Sequence, residues 1–172
     1  APIPAVTCTS QANMLTGKNP CDHGIVANGW LFRDLSQIML WRQSNSLVQS
    51  EKIWDVIKKR NPNFTASNMF WWYNMYSSVD FSMTPRPIYR SDGLKLPNTY
   101  SHPAEFTNLV KEKLGPFPLF QFWGPLTTIK STDWIAKATA LNMEIHKPSL
   151  CLSYLPHLDY NLQRIGANNP AI

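Results

Sequence analysis

The chain has 172 residues and carries 16 Lys+Arg against 11 Asp+Glu, a formal charge of +5. At 44% hydrophobic and 16% charged it holds enough apolar side chain to fill a core, which excludes a disordered segment. No run approaches the roughly 20 apolar residues of a membrane-spanning helix, and the only tight basic run, Lys58-Lys59-Arg60, reads as a solvated helix end, so neither a membrane span nor a polybasic arm for a nucleic-acid polymer is present.

In chain order, the stretch Thr7-Cys-Thr-Ser-Gln-Ala-Asn-Met-Leu-Thr-Gly17 begins with hydroxyls and turns helical, with Ala12 and Leu15 inward and Gly17 as terminator. A turn at Pro20 leads into His23-Gly-Ile-Val-Ala-Asn28-Gly. A helix over about 50–60 takes Ser50 as cap, buries Ile53, Val56 and Ile57, and ends at Asn61-Pro62. The aromatic run 66–73 reads as a buried strand, and 84–103, with its prolines, as one long loop of the kind that accompanies a site. A helix over 104–114 buries Phe106, Leu109, Val110 and Leu114 ahead of Gly115-Pro116, and 119–122 reads as a short strand. The clearest helix covers 132–146, capped by Ser131 or Thr132, with Trp134, Ala138, Leu141 and Ile145 on one face and Lys147-Pro148 as its stop. A buried strand over 149–155 follows. Helix then strand, twice over, predicts an α/β sheet with helices on its faces. No repeat, low-complexity stretch or linker divides the chain.

Cys8, Cys21 and Cys151 make an odd count without a C-x-x-C pair, against a disulfide framework or a zinc knuckle. Asn63-Phe-Thr65 is a formal glycosylation sequon. The chain opens at Ala1 in Ala-Pro-Ile-Pro, without Met or a charged-then-apolar leader, so an internal piece of a longer chain is the expectation and localisation stays open.

Two constellations carry chemistry. A hydroxyl at a helix start, here Thr7, sits where backbone N–H groups and the helix dipole favour an anion, and can either attack phosphorus or cap the helix, as can Thr9. Ser153-Tyr-Leu-Pro-His-Leu-Asp159-Tyr-Asn-Leu-Gln163-Arg-Ile-Gly166 lies just past a strand, where sites in open α/β sheets gather and where the Asp159 carboxylate can meet a cation. Arg164 can meet a phosphate or an acidic neighbour, and His23 orders its turn by hydrogen bonding.

Thr7 through Thr16-Gly17, H-G-I-V-x-N ending at Asn28, and the Asp159–Gly166 stretch together resemble, in order and spacing, the type I phosphodiesterase/nucleotide pyrophosphatase family of the alkaline phosphatase superfamily. The resemblance implies a mostly parallel central sheet with helices on both faces, and a chain, 1–172, that is part of a catalytic domain. It implies Thr7 as nucleophile and metal-bound hydroxyl, Asn28 as holder of the phosphoryl oxygen, and two divalent ions, zinc by family habit, of which Asp159 binds one. Gln163 stands where the family has His, a harder and weaker ligand, with His157 as a substitute. Cys8 follows Thr7 where nucleotide-cleaving members carry a stacking aromatic; Phe70-Trp-Trp-Tyr73 and Tyr76 offer other faces. The implied activity is metal-dependent hydrolysis of a phosphodiester or pyrophosphate through a phosphothreonine, on a small phosphorylated substrate with a nucleotide among the options. The alternative is a degenerate relative that binds a phosphorylated ligand without turnover. The family's other metal ligands lie outside these motifs, so the piece alone is expected to be inactive.

Overall fold

The computed structural model describes residues 3–170. In chain order its elements are α1 Thr7–Thr16, α2 Pro20–His23, β1 Gly29–Phe32, β2 Gln37–Leu40, α3 Ile53–Arg60, β3 Ala66–Met69, β4 Phe81–Pro85, β5 Ile88–Tyr89, β6 Lys95–Leu96, β7 Thr99–His102, α4 Glu105–Leu114, α5 Ile129–His146, β8 Leu150–Ser153 and α6 His157–Ile165. A four-stranded sheet in the order β7-β4-β3-β8 forms the centre. β3 runs parallel to both neighbours, placing Asn68 opposite Ser82 on one side and Leu152 on the other, while β7 returns antiparallel along β4. The expected α/β class, with a mostly parallel sheet, is what the chain adopts.

Strand alternation sorts the two faces. Met69 and Met83 join Phe106, Val110, Trp134, Ile135 and Ala138 of α4 and α5 in one core. On that face Asn142 of α5 donates to the Ser67 hydroxyl at 2.7 Å, pairing two buried polar groups. The opposite face sets Ala66 and Leu152 against Leu15 of α1 and Trp54 of α3. A third cluster gathers Cys8, Ala12, Ile25, Val48, Trp72 and Tyr73 beneath the β1–β2 hairpin.

Several local expectations are corrected. α3 starts at Ile53, not at a Ser50 cap: Lys52 is the N-cap, and its N–H donates to the Asp55 carboxylate at 2.9 Å. Its inward residue is Trp54, 1% exposed, while Ile53 and Val56 are 46% and 39% exposed. One large side chain fills the space beneath this eight-residue helix, so the aliphatic stripe is left over. The 119–122 strand is instead a 3-10 turn, Leu119–Gln121. Leu119 and Phe122, three apart, both enter the same core, as one helical turn allows and a strand does not. The 66–73 strand stops at Met69, because Phe70 and Tyr73 take positive φ and fold the chain into a turn. The 84–103 stretch is not a structureless loop. An Asp92-Gly93 turn, with Gly93 at φ 85°, closes the β5–β6 hairpin, and β7 pairs with β4. α5 begins earlier than expected, at Ile129, under a Thr128 cap that accepts the Lys130 N–H, and Ile145 is exposed. The Ser131 hydroxyl donates to the Gln121 carbonyl instead of capping.

Candidate phosphoryl-transfer site

Thr7 is the first residue of α1, preceded by Val6 in extended conformation, which has no side-chain oxygen to cap the helix. Neither Thr7 nor Thr9 caps it; Thr9 is buried with its hydroxyl unpartnered among the described residues. The cap comes from twenty residues away: the Asn28 side-chain oxygen accepts the Cys8 N–H at 2.9 Å. This bond sets Asn28 beside the start of α1, its amide N–H₂ left as donor.

Two local structures hold Asn28 there. His23, fully buried, accepts the Ile25 N–H on Nδ1 at 3.0 Å and sits 2.9 Å from the Asn13 side-chain oxygen through Nε2. With Nδ1 accepting, Nε2 carries the proton, so His23 is a neutral brace between α1 and the loop toward Asn28. Burial depresses its pKa accordingly. On the other side the Asn28 carbonyl accepts the Trp41 N–H at 2.8 Å, closing the base of the β1–β2 hairpin. Gly29 is required at that base, since a Cβ there would lie 2.3 Å from Leu40 Cδ2 and 2.8 Å from the Met39 carbonyl oxygen.

Asp159 lies in the first turn of α6, just beyond the carboxyl end of β8, and is exposed. The Gln163 amide donates to Asp159 at 2.8 Å, leaving the Gln163 carbonyl oxygen as its only atom able to meet a cation. Tyr154 connects the two constellations. Its backbone N–H donates to the Met69 carbonyl, extending the sheet, and its hydroxyl lies near enough to Thr7 for Thr7 to act on its titration. Burial raises the Tyr154 pKa, the Thr7 contact opposes that, and the nearby Asp159 and Cys8 add to the rise. Asn28 thus meets the start of α1 beside Thr7, and Tyr154 feels both Thr7 and the Asp159 charge. Sequence reasoning passed over Tyr154; its position at a strand's carboxyl end, five residues before the candidate carboxylate, was the available signal.

Other candidates fall elsewhere. Arg164 donates to the Pro125 and Thr127 carbonyls and to Asn161, tying α6 to the loop ahead of α5, so it meets neither a phosphate nor an acid. Cys8 is fully buried against Tyr73, and burial pushes its thiol up to about 12, leaving it a packing residue. Tyr76 is 75% exposed and packs edge-on against Tyr100, whereas Trp72 packs against Trp41 in a tilted pair with centroids 4.9 Å apart.

A cleft of about 1250 Å³ is floored by Trp72 and Met75 and walled by the β1–β2 and β5–β6 hairpins, with Tyr154 and Tyr160 at one end. Among the described residues no group of three or more His, Cys, Asp or Glu could hold a metal ion. Thr7 and Asp159 offer oxygen donors suited to a divalent cation, but two donors are fewer than the four a zinc centre uses.

A mostly parallel four-stranded sheet with helices on its faces is consistent with an alkaline-phosphatase-like fold. The chain belongs to the type I phosphodiesterase/nucleotide pyrophosphatase family, whose sequence profile matches residues 1–172. Membership implies a hydrolase of phosphodiester or pyrophosphate bonds acting on phosphorylated substrates, in a family that is typically metal-dependent. No curated protein and no solved structure matches the chain. Among the described residues no helix is long and apolar enough to cross a membrane.

Proposed function

We propose that this chain carries the nucleophile half of a metal-dependent phosphoric-ester hydrolase that works through a phosphothreonine at Thr7. The observation that supports it is the bond from the Cys8 N–H to Asn28, which brings the side chain of a sequence-distant amide to the helix start that Thr7 opens, with Tyr154 acted on by Thr7 on one side and the Asp159 charge on the other. The Thr7 oxygen attacks phosphorus, the bond to the leaving alcohol breaks, and the Thr7 proton passes to solvent. Water then attacks the phosphothreonine, releasing a phosphomonoester and restoring the hydroxyl. The free N–H₂ of Asn28 and the start of α1 stabilise the oxyanion charge, a contribution of about 10²–10³ in rate for one such donor. Divalent cations would be held in part by Thr7 and Asp159, with Gln163 alongside, and would supply the Lewis-acid polarisation that an alcohol needs at neutral pH. The second reading, a relative that binds phosphorylated ligands without turnover, is favoured by Gln163 in the family's His position and by Cys8 in place of a stacking aromatic.

The test is hydrolysis of bis(nitrophenyl) phosphate by the full-length protein. Activity abolished by Thr7→Ala and by chelator supports the enzyme; turnover unchanged in Thr7→Ala removes the assigned nucleophile.

A further inference from the structure

The segment that delivers Asn28 is tied down at few points. Residues 24–28, between α2 and β1, belong to no helix or strand. Among the described residues its polar ties are the Gly24 N–H to the Pro20 carbonyl, the Ile25 N–H to His23 Nδ1 at 3.0 Å, and the two bonds that Asn28 accepts from the Cys8 and Trp41 N–H groups. The Ile25 bond therefore fixes the middle of the segment, three residues ahead of Asn28. Ile25 also packs with Cys8 and Ala12 of α1, so its backbone is coupled to the turn that Asn28 caps. The acceptor of its N–H is a ring nitrogen and not a carbonyl. A ring nitrogen can be filled by a proton in mild acid, and a carbonyl cannot.

Three groups here permit one arrangement. The Ile25 N–H requires an unprotonated Nδ1, a neutral ring then carries its proton on Nε2, and Nε2–H requires the oxygen of the Asn13 side chain, 2.9 Å away. The ring is fully buried. α1 presents Asn13 to His23, and the loop ahead of α3 presents the Gln49 N–H to its carbonyl; neither group is charged. Asp22, whose carboxylate accepts the Asn19 N–H, is the one charge that acts on the ring among the described residues. It favours a second proton, but burial outweighs it and holds the ring below the usual histidine pKa. A second proton on Nδ1 would set one N–H against another at hydrogen-bond distance, and the Ile25 tie would be lost.

We infer that Asn13 and His23 are positioning residues for Asn28, and that a second proton on the His23 ring is an acid switch that releases Asn28 from the start of α1 while the rest of the fold stands. This rests on the hydrolase reading for its effect on turnover, though not for the release itself. It assigns the acid limb of hydrolysis to a side chain that bonds to neither Thr7 nor Asp159.

Amide hydrogen exchange of the full-length protein tests it, read by NMR on acidification from neutral pH with the His23 imidazole titrated in the same samples. The Cys8 N–H reports the Asn28 cap. Its protection should fall about tenfold, the scale of one lost hydrogen bond, along the same curve as the imidazole. The amide of Val110, fully buried in α4, should keep its protection over that range. Hydrolysis of bis(nitrophenyl) phosphate should fall with the Cys8 curve, by up to about 10²–10³ for one lost oxyanion donor. Asn13→Asp keeps an oxygen facing Nε2 and adds a negative charge that favours the imidazolium, so both curves should move to higher pH by about 1–3 units. Should that variant not fold, the two curves of the parent still decide. Cys8 protection that stays constant through the imidazole titration, a ring that takes its second proton only as Val110 loses protection too, or a folded Asn13→Asp whose curves coincide with the parent's would each overturn the inference. Hydrolysis absent at every pH while Cys8 protection follows the ring sinks the hydrolase reading and leaves the release of Asn28 standing.

Discussion

The cap that Asn28 provides and the phosphoryl contact proposed for it use two different atoms, and substitution can separate them. Its side-chain oxygen accepts the Cys8 N–H at 2.9 Å and stands in for the cap that Val6 cannot give. Its N–H₂ is the proposed donor to the phosphoryl oxygen. Asn28→Ala deletes both. Loss of a capping acceptor costs about 1 kcal/mol, within a range of about 0.5–2, which lowers the melting temperature of a domain this size by about 2–4 °C. Hydrolysis should fall by about 10²–10³. Asn28→Asp has the same shape and keeps the acceptor, while placing a negative charge at the start of α1, where it is favourable by about 0.3–1 kcal/mol. It removes the donor and repels a phosphate. Urea unfolding at pH 7.5 should therefore find Asn28→Asp as stable as the parent or more so, Asn28→Ala less stable, and both equally poor in hydrolysis. Full activity in Asn28→Asp would refute the donor assignment. A stability loss in Asn28→Asp as large as in Asn28→Ala would refute the capping argument.

Other perturbations follow from the same contacts. Trp54→Ala should cost about 3–5 kcal/mol in urea unfolding, against less than about 0.5 for the neighbouring Ile53→Ala, since Trp54 is 1% exposed and Ile53 46%. His23 is held neutral with its pKa depressed, so on acidification the unfolded chain takes up this proton first. Its contribution is complete above about pH 6.5 and declines below, by at most ~1.4 kcal/mol per pH unit; urea midpoints that rise between pH 7 and 5.5 would contradict this. Gly29→Ala should destabilise by about 1–3 kcal/mol through overpacking, because the added carbon would meet Leu40 and the Met39 carbonyl; a neutral urea midpoint would mean the hairpin can open there. Arg164→Ala frees α6 from the Pro125 and Thr127 carbonyls, and faster amide exchange across Asp159 should follow.

The longer helices and β8 were readable because one apolar face recurs along them: Phe106 and Val110 in α4, Trp134 and Ala138 in α5. α3 was placed correctly but faced wrongly, since its short stripe competed with one tryptophan whose burial depends on Leu15 and Val79, far away in sequence. The 119–122 segment was misread because a four-residue apolar run has no period, and only the shared destination of Leu119 and Phe122 decides its form. The β5–β6 hairpin had an Asp-Gly turn signal that proline density obscured. At the candidate site, Thr7, Asn28 and Asp159 are proposed from the order and spacing of their motifs, and of these the structure brings Asn28 to the start of α1. Tyr154 and the cleft were not legible, because they arise where two hairpins and two strand ends meet, and no local pattern encodes that meeting.

The central claim is a covalent bond between Thr7 and phosphorus. Rapid acid quenching of full-length protein during turnover of bis(nitrophenyl) phosphate, followed by mass analysis of its peptides, tests it most directly. The account predicts a burst of nitrophenol with a nitrophenyl-phosphoryl adduct on the peptide containing Thr7, lost in Thr7→Ala. An adduct on another residue, or steady turnover in which Thr7 never carries phosphorus, would contradict it.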